Sequence, residues 1–494
     1  MNVAYLNLSP HNFSINHWCK NFNTYLKGAH NPGADVHNNL IRGICFLFLM
    51  IVSFQSNAQT QPAYKFLQDD TVIKKKLYEK ALQYNTAAIN NLSKENKEDY
   101  TKIYNSRFKE IKELLSSSRS LTTVEAHQYL QTIVQKIIDA NPELKALELR
   151  VVFARDWWPN AYSMGDGTIG VNAGLMIYLA NEAELVFTLC HELSHYYLDH
   201  SGKSIKKYVE TVNSEDFKKE LKRLSKQQYR VNEEAEKLSK SLVFDSRKHS
   251  RDNEAASDRQ AFKFMKNTGY DSRAIISTLQ LLDKIDDSSL FKRVNIEQVF
   301  NFEEYPFKKK WIQKESAIFS QADENDSPLT TKEKDSLKTH PDCSKRILLL
   351  QDSINALGNK GKSFLVNEPY FNQLKKSFIT EITEYCFEEK NLSRNLYYSL
   401  ALLQSGEDIP IAVYSVTRCL NEIYEKQQQH KLGLAIDKEH KNFPEDYNLL
   451  LRLLDKIRLD EIAAINVQFC RKYQVQMKNY DGFATEMLKA ISFK

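Results

Sequence analysis

Two histidines and a glutamate occur in the pattern His191-Glu192-Leu193-Ser194-His195, in a segment whose apolar spacing predicts an α-helix. Residues four positions apart lie on one face of a helix, about one turn from each other. Both imidazoles can therefore bind one tetrahedral Zn²⁺ ion. Glu192 would then lie beside the metal, where it can take a proton from an attacking water and pass it to the leaving group. The pattern predicts metal-assisted hydrolysis.

The alternative for such a pentapeptide is a surface helix that carries two histidines by chance. Four apolar residues precede the motif and give this helix an apolar face: Leu185, Val186, Leu189 and Cys190. Unpaired histidine and glutamate side chains on a core helix would be costly to bury without a metal. The apolar face therefore favours a metal site over the surface helix.

The segment Asn253-Glu254-Ala255-Ala256-Ser257-Asp258 offers the third protein ligand that a catalytic zinc needs. One helical turn separates Glu254 from Asp258. Glu254 can thus bind zinc while Asp258 accepts a hydrogen bond from the outer nitrogen of one histidine. An ordinary amphipathic helix with surface acids is the alternative interpretation of this segment alone. Together with His191 and His195, it predicts one zinc ion per chain, bound by the two histidines and Glu254.

Helices and a small sheet are the elements that must position these residues. Helical apolar spacing occurs in residues 69–116, 125–140, 181–197 and 201–251. Asn181 can cap the helix that carries the motif, and Glu184 can reach back towards its first turn. Alternating β-branched residues predict a strand over 147–153. Asp166-Gly167 between two short extended runs predicts a hairpin over 160–172.

Composition places the chain among ordered globular proteins. It has 494 residues, of which 42% are hydrophobic and 27% charged, and its formal charge is +5. No patch concentrates basic residues with aromatic ones, which argues against a nucleic-acid partner. The seven cysteines form no C-x-x-C pair, which excludes a thiolate zinc knuckle and a thioredoxin-like motif. Two of the five cysteines beyond residue 58 could still pair if the chain is exported.

The N-terminal 58 residues resemble an extension that ends in a signal peptide. A short apolar run over 41–54 follows a positive charge, and Ser56-Asn57-Ala58 places small residues where a signal peptidase requires them. Cleavage after Ala58 predicts a mature protein that begins at Gln59 in the periplasm or cell envelope. The alternative is an uncleaved anchor, although the run is well short of the roughly 20 residues that span a bilayer.

The rest of the chain is predicted to form two units joined by a short polar linker. Residues 59–357 would form an α+β, mostly helical, zincin-like domain with a small sheet, and residues 363–494 a helical C-terminal domain without a clean repeat period. Residues 356–363 also satisfy a relaxed phosphate-loop pattern. A charged helix rather than a buried strand precedes them, so the pattern indicates only a Gly/Lys linker.

The motifs resemble the gluzincins of peptidase family M48 over roughly residues 147–350. This family includes the CaaX prenyl proteases, the heat-shock membrane protease and the soluble periplasmic beta-barrel assembly-enhancing protease. The resemblance rests, in order, on Asn160-Ala161, Gly167-x-Ile169-x-Val171, Gly174-Leu175, His191-Glu192-x-x-His195 with His200, Glu254-x-x-x-Asp258, Thr339-His340-Pro341 and Arg346-Ile347. Ser257 departs from the usual alanine before the aspartate. Because no apolar membrane helices follow residue 58, the soluble periplasmic branch is favoured.

The resemblance implies further site residues. It makes residues 168–172 an edge strand on which an extended peptide lies, and the alternative is a hairpin that only covers the core. The predicted substrate-binding residues are Asn160, Thr168, Ile169, Gly170, Val171 and Arg346. His340 and Arg346 would face the metal cleft and stabilise the oxyanion, or His340 would occupy the open zinc position as a lid. His200 is expected beside the site without a catalytic role.

These observations predict a zinc metalloendopeptidase that hydrolyses peptide bonds. The resemblance extends this to quality control of unfolded or misassembled envelope proteins, with protein or peptide substrates. The helical C-terminal domain is a candidate surface for a protein partner. A different class of function is a chaperone-like or protein-binding envelope factor that retains the zinc-peptidase fold, although intact candidate ligands argue against it.

Overall fold

Helices form most of the protein, around one small sheet. The computed structural model describes residues 64–225, 251–285, 294–314, 343–358, 360–440 and 443–493. The helices up to residue 300 are α1 (Thr71–Asn90), α2 (Lys97–Ser116), α3 (Val124–Ala140), α4 (Ala173–Met176), α5 (Glu182–Tyr197), α6 (His200–Asn213), α7 (Glu215–Ser225), α8 (251–266), α9 (Ala274–Ile285) and α10 (Ile296–Phe300).

The sheet has four strands in the order β1-β2-β4-β3. They are β1 (Ser120–Leu121), β2 (Arg150–Ala154), β3 (Ala161–Ser163) and β4 (Thr168–Asn172). Strand β4 pairs in parallel with β2 on one side and antiparallel with β3 on the other. The turn between β3 and β4 contains Gly167 at φ +91°, a conformation that glycine adopts without strain. The predicted hairpin is confirmed.

Helices cover both faces of the sheet, and β2 and β4 are buried throughout. On one face, the α1–α2 pair packs Leu77, Ile111 and Leu114 against Val152 and Ala154. The side chains of the other face join the main core with α3 and α5. Strand burial on both sides explains why the sequence of β2 is almost continuously apolar.

Helix α5 begins at the double cap that the sequence predicted. Oδ1 of Asn181 accepts a hydrogen bond from the backbone N–H of Glu184 at 3.1 Å, and the Glu184 carboxylate accepts one from the N–H of Ala180 at 2.6 Å. These bonds satisfy amides that lack partners in the first turn of a helix. The buried stretch from Glu182 to Ser194 follows. The helix is therefore fixed at its start and enclosed along most of its length.

The helices beyond residue 342 pack into the same core as the sheet. They are α11 (Cys343–Leu357), α12 (Glu368–Glu388), α13 (Leu392–Ser405), α14 (Ile409–Gln428), α15 (Glu445–Lys456), α16 (Leu459–Tyr473) and α17 (Phe483–Ser492). The rings of Phe153 on β2 and Phe378 on α12 lie edge to face at 5.1 Å. Residues 62–494 form one compact unit. The polar linker at 357–363 therefore does not divide the hydrophobic core.

The predicted fold class, mostly helical α+β with a small sheet and a helical C-terminal region, is confirmed. Within the described part of the chain, no helix has the length and apolarity needed to cross a membrane. None of the five cysteines described there forms a disulfide bond. The predicted signal peptide and its cleavage site lie outside the described residues.

The prediction that residues 168–172 form an edge strand is wrong. Strand β4 lies inside the sheet, because β2 pairs with it on the side opposite β3. Thr168, Ile169 and Val171 are completely buried. A peptide cannot pair with backbone groups that two neighbouring strands already use. Among the described strands, β3 is the edge on this side of the sheet.

Candidate metal centre

Two imidazoles and one carboxylate converge where α5 meets α8. Nε2 of His191 lies 3.1 Å from Nε2 of His195. The Glu254 carboxylate faces both rings, with Oε2 3.3 Å from Nε2 of His191 and Oε1 3.3 Å from Nε2 of His195. Within the described residues, these three side chains form the one His/Cys/Asp/Glu group close enough to share a metal ion. The structure thus brings the three predicted zinc ligands together.

The spacing of these atoms fits a tetrahedral zinc ion. Zinc binds imidazole nitrogen and carboxylate oxygen at about 2.0–2.2 Å, so two of its ligands at a tetrahedral angle lie about 3.3–3.5 Å apart. The observed separations are 3.1 Å between the two nitrogens and 3.3 Å from each nitrogen to a carboxylate oxygen, Oε2 for His191 and Oε1 for His195. The donor set of two neutral imidazoles and one carboxylate is that of known catalytic zinc sites, which leave the fourth position open.

Asp258 lies behind His191, one helical turn after Glu254. Its Oδ1 is 2.9 Å from Nδ1 of His191, the nitrogen opposite the metal-binding Nε2. Its carboxylate also accepts two hydrogen bonds from the Arg346 guanidinium, at 2.6 and 2.8 Å. The Asp258 side chain is fully buried. The predicted position of Asp258, at the outer nitrogen of one histidine, is the position observed.

Charge around the site keeps both carboxylates ionised. Burial by itself would raise the pKa of Glu254, but His191, His195 and Arg346 outweigh it and hold the pKa well below its usual range. Burial opposes ionisation of Asp258 too, and its bonds to Arg346 and His191 lower its pKa nonetheless. For His191, burial lowers the pKa, while the two carboxylates raise it to about 10. The site therefore favours a bound cation.

Glu192 is buried beside the ligands on α5, with 8% of its surface exposed. Burial raises the pKa of its carboxyl, against the opposing effects of His191 and His195. The backbone amide of Ser163 on β3 also acts on this carboxyl and lowers its pKa. A carboxyl with a raised pKa, next to the metal position and to the sheet edge, is suited to accept and return a proton at neutral pH.

The edge strand β3 turns backbone groups away from β4, and one of them, the N–H of Ser163, donates to the Glu192 carboxyl. The N–H of Met164 donates to the Thr168 carbonyl, and the N–H of Asn172 donates to the Asn160 carbonyl. In an antiparallel pair the hydrogen-bonding residues alternate, so the N–H and C=O groups of Ala161 and Ser163 point away from β4. An extended chain can therefore pair with β3 beside Glu192.

Arg346 does not take the position that the sequence predicted. The guanidinium is 4% exposed, and its three nitrogens face Asp258 and Glu254, the last at 3.1 Å. Two of these nitrogens donate hydrogen bonds to Asp258, and Nη1 lies at ion-pair distance from Glu254, so the buried guanidinium faces the carboxylates behind the ligands. The carbonyl of Asn160 closes the β3–β4 hairpin by accepting a hydrogen bond from the N–H of Asn172. His340 lies outside the described residues.

Three residues beside the site were given no role from the sequence. Nδ1 of His200 is 3.1 Å from Nδ1 of His195, and Oγ of Ser257 is 3.3 Å from the same His200 atom. Ser163 on β3 is the third. The chain position of His200, five residues after the motif, and the unusual Ser257 before Asp258 were the available signals. Neither signal shows that His200 contacts His195 and Ser257, because those contacts depend on how the chain folds between them.

Comparison with known proteins agrees with this geometry. Residues 125–354 match the sequence profile of peptidase family M48. The matched range contains strands β2, β3 and β4, the three candidate ligands, Asp258 and Arg346. No curated protein matches the chain. The match supports a protease of the metallopeptidase class for this part of the chain.

Proposed function

We propose that this protein is a zinc-dependent endopeptidase that acts on proteins of the cell envelope. The cluster of Nε2 of His191, Nε2 of His195 and the Glu254 carboxylate carries this proposal, because its donor atoms lie close enough together to share one zinc ion. The sequence motifs favour the soluble periplasmic branch of family M48, in which quality control of unfolded or misassembled proteins is the expected role.

The residues divide the chemistry between them. His191, His195 and Glu254 would hold a zinc ion, which when bound would supply polarisation of the scissile carbonyl and a more acidic water near neutral pH. The Glu192 carboxylate takes the proton from the attacking water and later delivers it to the leaving amine. Asp258 fixes the ring of His191, and Arg346 fixes Asp258 in turn.

The peptide substrate is proposed to lie along β3. The outward C=O groups of Ala161 and Ser163 and the outward N–H of Ala161 can pair with an extended backbone, a mode of recognition that tolerates many side chains. Because Ser163 neighbours Glu192, the paired chain passes close to the general base. Backbone pairing agrees with a protease for unfolded proteins, since such substrates share a backbone but no common sequence.

Zinc content and proteolysis test the proposal together. We expect about one zinc per chain in the purified protein and chelator-sensitive digestion of casein. Glu192→Gln should retain zinc and lose digestion, while His195→Ala should lose both. Glu210→Gln is the matched control, since Glu210 is an exposed residue on the next helix and should behave as wild type. Full digestion by Glu192→Gln would refute the mechanism. Zinc binding without digestion of any unfolded protein would favour the protein-binding alternative.

A scan of N-methylated peptides tests the edge strand. Each N-methyl group removes one backbone donor, so methylation at alternate positions of a cleaved peptide should raise KM about fivefold or more per lost bond. Methylation at the intervening positions should have a smaller effect, because those amides point away from β3. A scan without a period of two would contradict pairing with β3.

Export is part of the proposal. The apolar run before Ser56-Asn57-Ala58 supports cleavage after Ala58 and a mature protein in the periplasm or envelope. N-terminal sequencing of the protein from the envelope fraction should begin at Gln59. A cytosolic chain that begins at Met1 would refute the proposed location without affecting the proposed chemistry.

A further inference from the structure

The chain turns sharply after helix α5, so that the first residue of α6 contacts the last turn of α5. Asp199, between α5 and α6, adopts the left-handed conformation at φ +52°, and its carboxylate accepts a hydrogen bond from the N–H of Gly202 at 3.2 Å. A side chain at position 202 would clash, because its Cβ would lie 2.3 Å from Oδ1 of Asp199. This tight turn places His200 at the first position of α6, in contact with His195.

His200 is enclosed between the two helices that supply the ligands. The rings of His195 on α5 and His200 are 5.0 Å apart and nearly perpendicular. Nδ1 of His200 lies 3.1 Å from Nδ1 of His195 and 3.3 Å from Oγ of Ser257 on α8. His200 is buried, and Ser257 is fully buried. His195 on α5 and Ser257 on α8 therefore both fix the position of the His200 ring.

The facing nitrogens fix where the protons lie. Nε2 of His195 faces Nε2 of His191 and the Glu254 carboxylate in the candidate metal centre, so a His195 that binds zinc through Nε2 carries its ring proton on Nδ1. Two nitrogens 3.1 Å apart cannot both carry a proton along the line between them. Nδ1 of His200 must therefore accept, which leaves the proton of His200 on its Nε2.

We propose that His200 is a positioning residue that fixes the tautomer and ring orientation of His195 for metal binding. Asp258 occupies the equivalent place behind His191, so each histidine ligand has its own partner on the far side of the ring. The two partners differ in charge. Glu254 and Asp258 already place two carboxylates around one arginine, and a neutral imidazole supplies an acceptor without a third negative charge.

Zinc affinity measured by competition with a chromophoric chelator tests this role, which rests on the metal site of the proposed function. His200→Leu removes the acceptor and should weaken zinc binding about 10- to 100-fold. His200→Asn places a carbonyl oxygen near the position of Nδ1 and should stay within about threefold of wild type. His127→Leu, at a partly buried histidine on α3, is the matched control and should leave the affinity unchanged.

The outcomes separate this role from simple packing. Metal-free melting temperatures of all variants report on folding alone, whereas rescue by asparagine depends on the acceptor. Wild-type affinity in His200→Leu, or equal losses in the leucine and asparagine variants, would overturn the inference. A wild-type protein that binds no zinc would instead overturn the proposed function, and the inference with it.

A measurement on the wild-type protein decides the case if the leucine variant does not fold. In the zinc-loaded protein with ¹⁵N-labelled histidines, His195 should carry its proton on Nδ1 and His200 on Nε2. A His200 protonated at Nδ1 would overturn the proposed role, because that nitrogen could not then accept from His195.

Discussion

Replacement of Arg346 by methionine tests whether this arginine holds the metal site together from behind. Three contacts of 2.6, 2.8 and 3.1 Å connect its guanidinium to the carboxylates of Asp258 and Glu254. Asp258 is fully buried, and the arginine is almost so. Methionine retains an unbranched chain of similar length and removes the charge, so Arg346→Met isolates the electrostatic contribution.

Removal of one partner from a buried ion pair costs about 3–5 kcal/mol, because the other charge stays buried without compensation. Arg346→Met should therefore lower the free energy of unfolding of the metal-free protein by about that amount. The loss should be smaller with zinc present, since a divalent cation next to Glu254 replaces part of the missing positive charge. The difference between the two losses of unfolding free energy measures how much of the charge of Arg346 the bound metal replaces.

Denaturant unfolding followed by circular dichroism, with chelator and with zinc, is the assay. Arg471→Met is the matched control, because Arg471 forms a 3.1 Å ion pair with Glu304 whose side chains are 55% and 69% exposed. An exposed pair contributes about 0–1 kcal/mol, so this variant should unfold much like wild type.

An unchanged free energy of unfolding in metal-free Arg346→Met would refute this reasoning. A role at the oxyanion, which the sequence suggested, predicts a different result: turnover about 100-fold lower at full zinc content, with no loss of stability. Comparison of turnover and stability in one variant therefore distinguishes the two positions of Arg346.

Three further predictions concern other parts of the chain. The buried Glu182 carboxylate accepts three hydrogen bonds from the backbone N–H groups of residues 365–367 and two from tyrosine O–H groups. Glu182→Gln should therefore lower the free energy of unfolding by about 2–4 kcal/mol. A loss below about 1 kcal/mol in urea unfolding would contradict this. Burial opposes ionisation of Glu461, but hydrogen bonds from Lys308 and Trp311 lower its pKa from 4.5 to about 2. Its contribution to stability is therefore present above pH 4.5 and lost as the pH falls through about 2, and Glu461→Gln should flatten the pH dependence of unfolding in that window. If His340 acts as a lid on the site, His340→Ala should raise casein digestion at equal zinc content, whereas an oxyanion role predicts a loss of about 100-fold.

The helical period made much of the metal site predictable. His191 and His195 are one turn apart on one helix, and Glu254 and Asp258 are one turn apart on another, so local geometry fixes each pair. The meeting of the two helices followed from zinc chemistry, which requires a third ligand. The hairpin at Asp166-Gly167 was equally local, because its turn residues determine the pairing of the strands on either side.

The features that the sequence missed depend on the path of the chain through space. The hairpin signal pairs β3 with β4, but it does not show that β2 pairs with the far side of β4. The contact of His200 with His195 depends on a single left-handed residue at Asp199. The position of Arg346 depends on α11 packing behind α8, far apart in sequence. In each case, tertiary packing between segments far apart in the chain determines the position of the strand or side chain.

The C-terminal helices are part of the architecture that supports the candidate catalytic helix. Glu182, at the first turn of α5, binds the backbone amides that lead into α12. Arg155, directly after β2, forms a fully buried ion pair with Glu381 on α12. Deletion of residues beyond 357 would remove the three backbone donors to Glu182 and the Glu381 partner of Arg155, and it would expose apolar core, so it should unfold the protease part as well. A binding role for the C-terminal helices can therefore be separated from catalysis only by substitutions on their exposed surface.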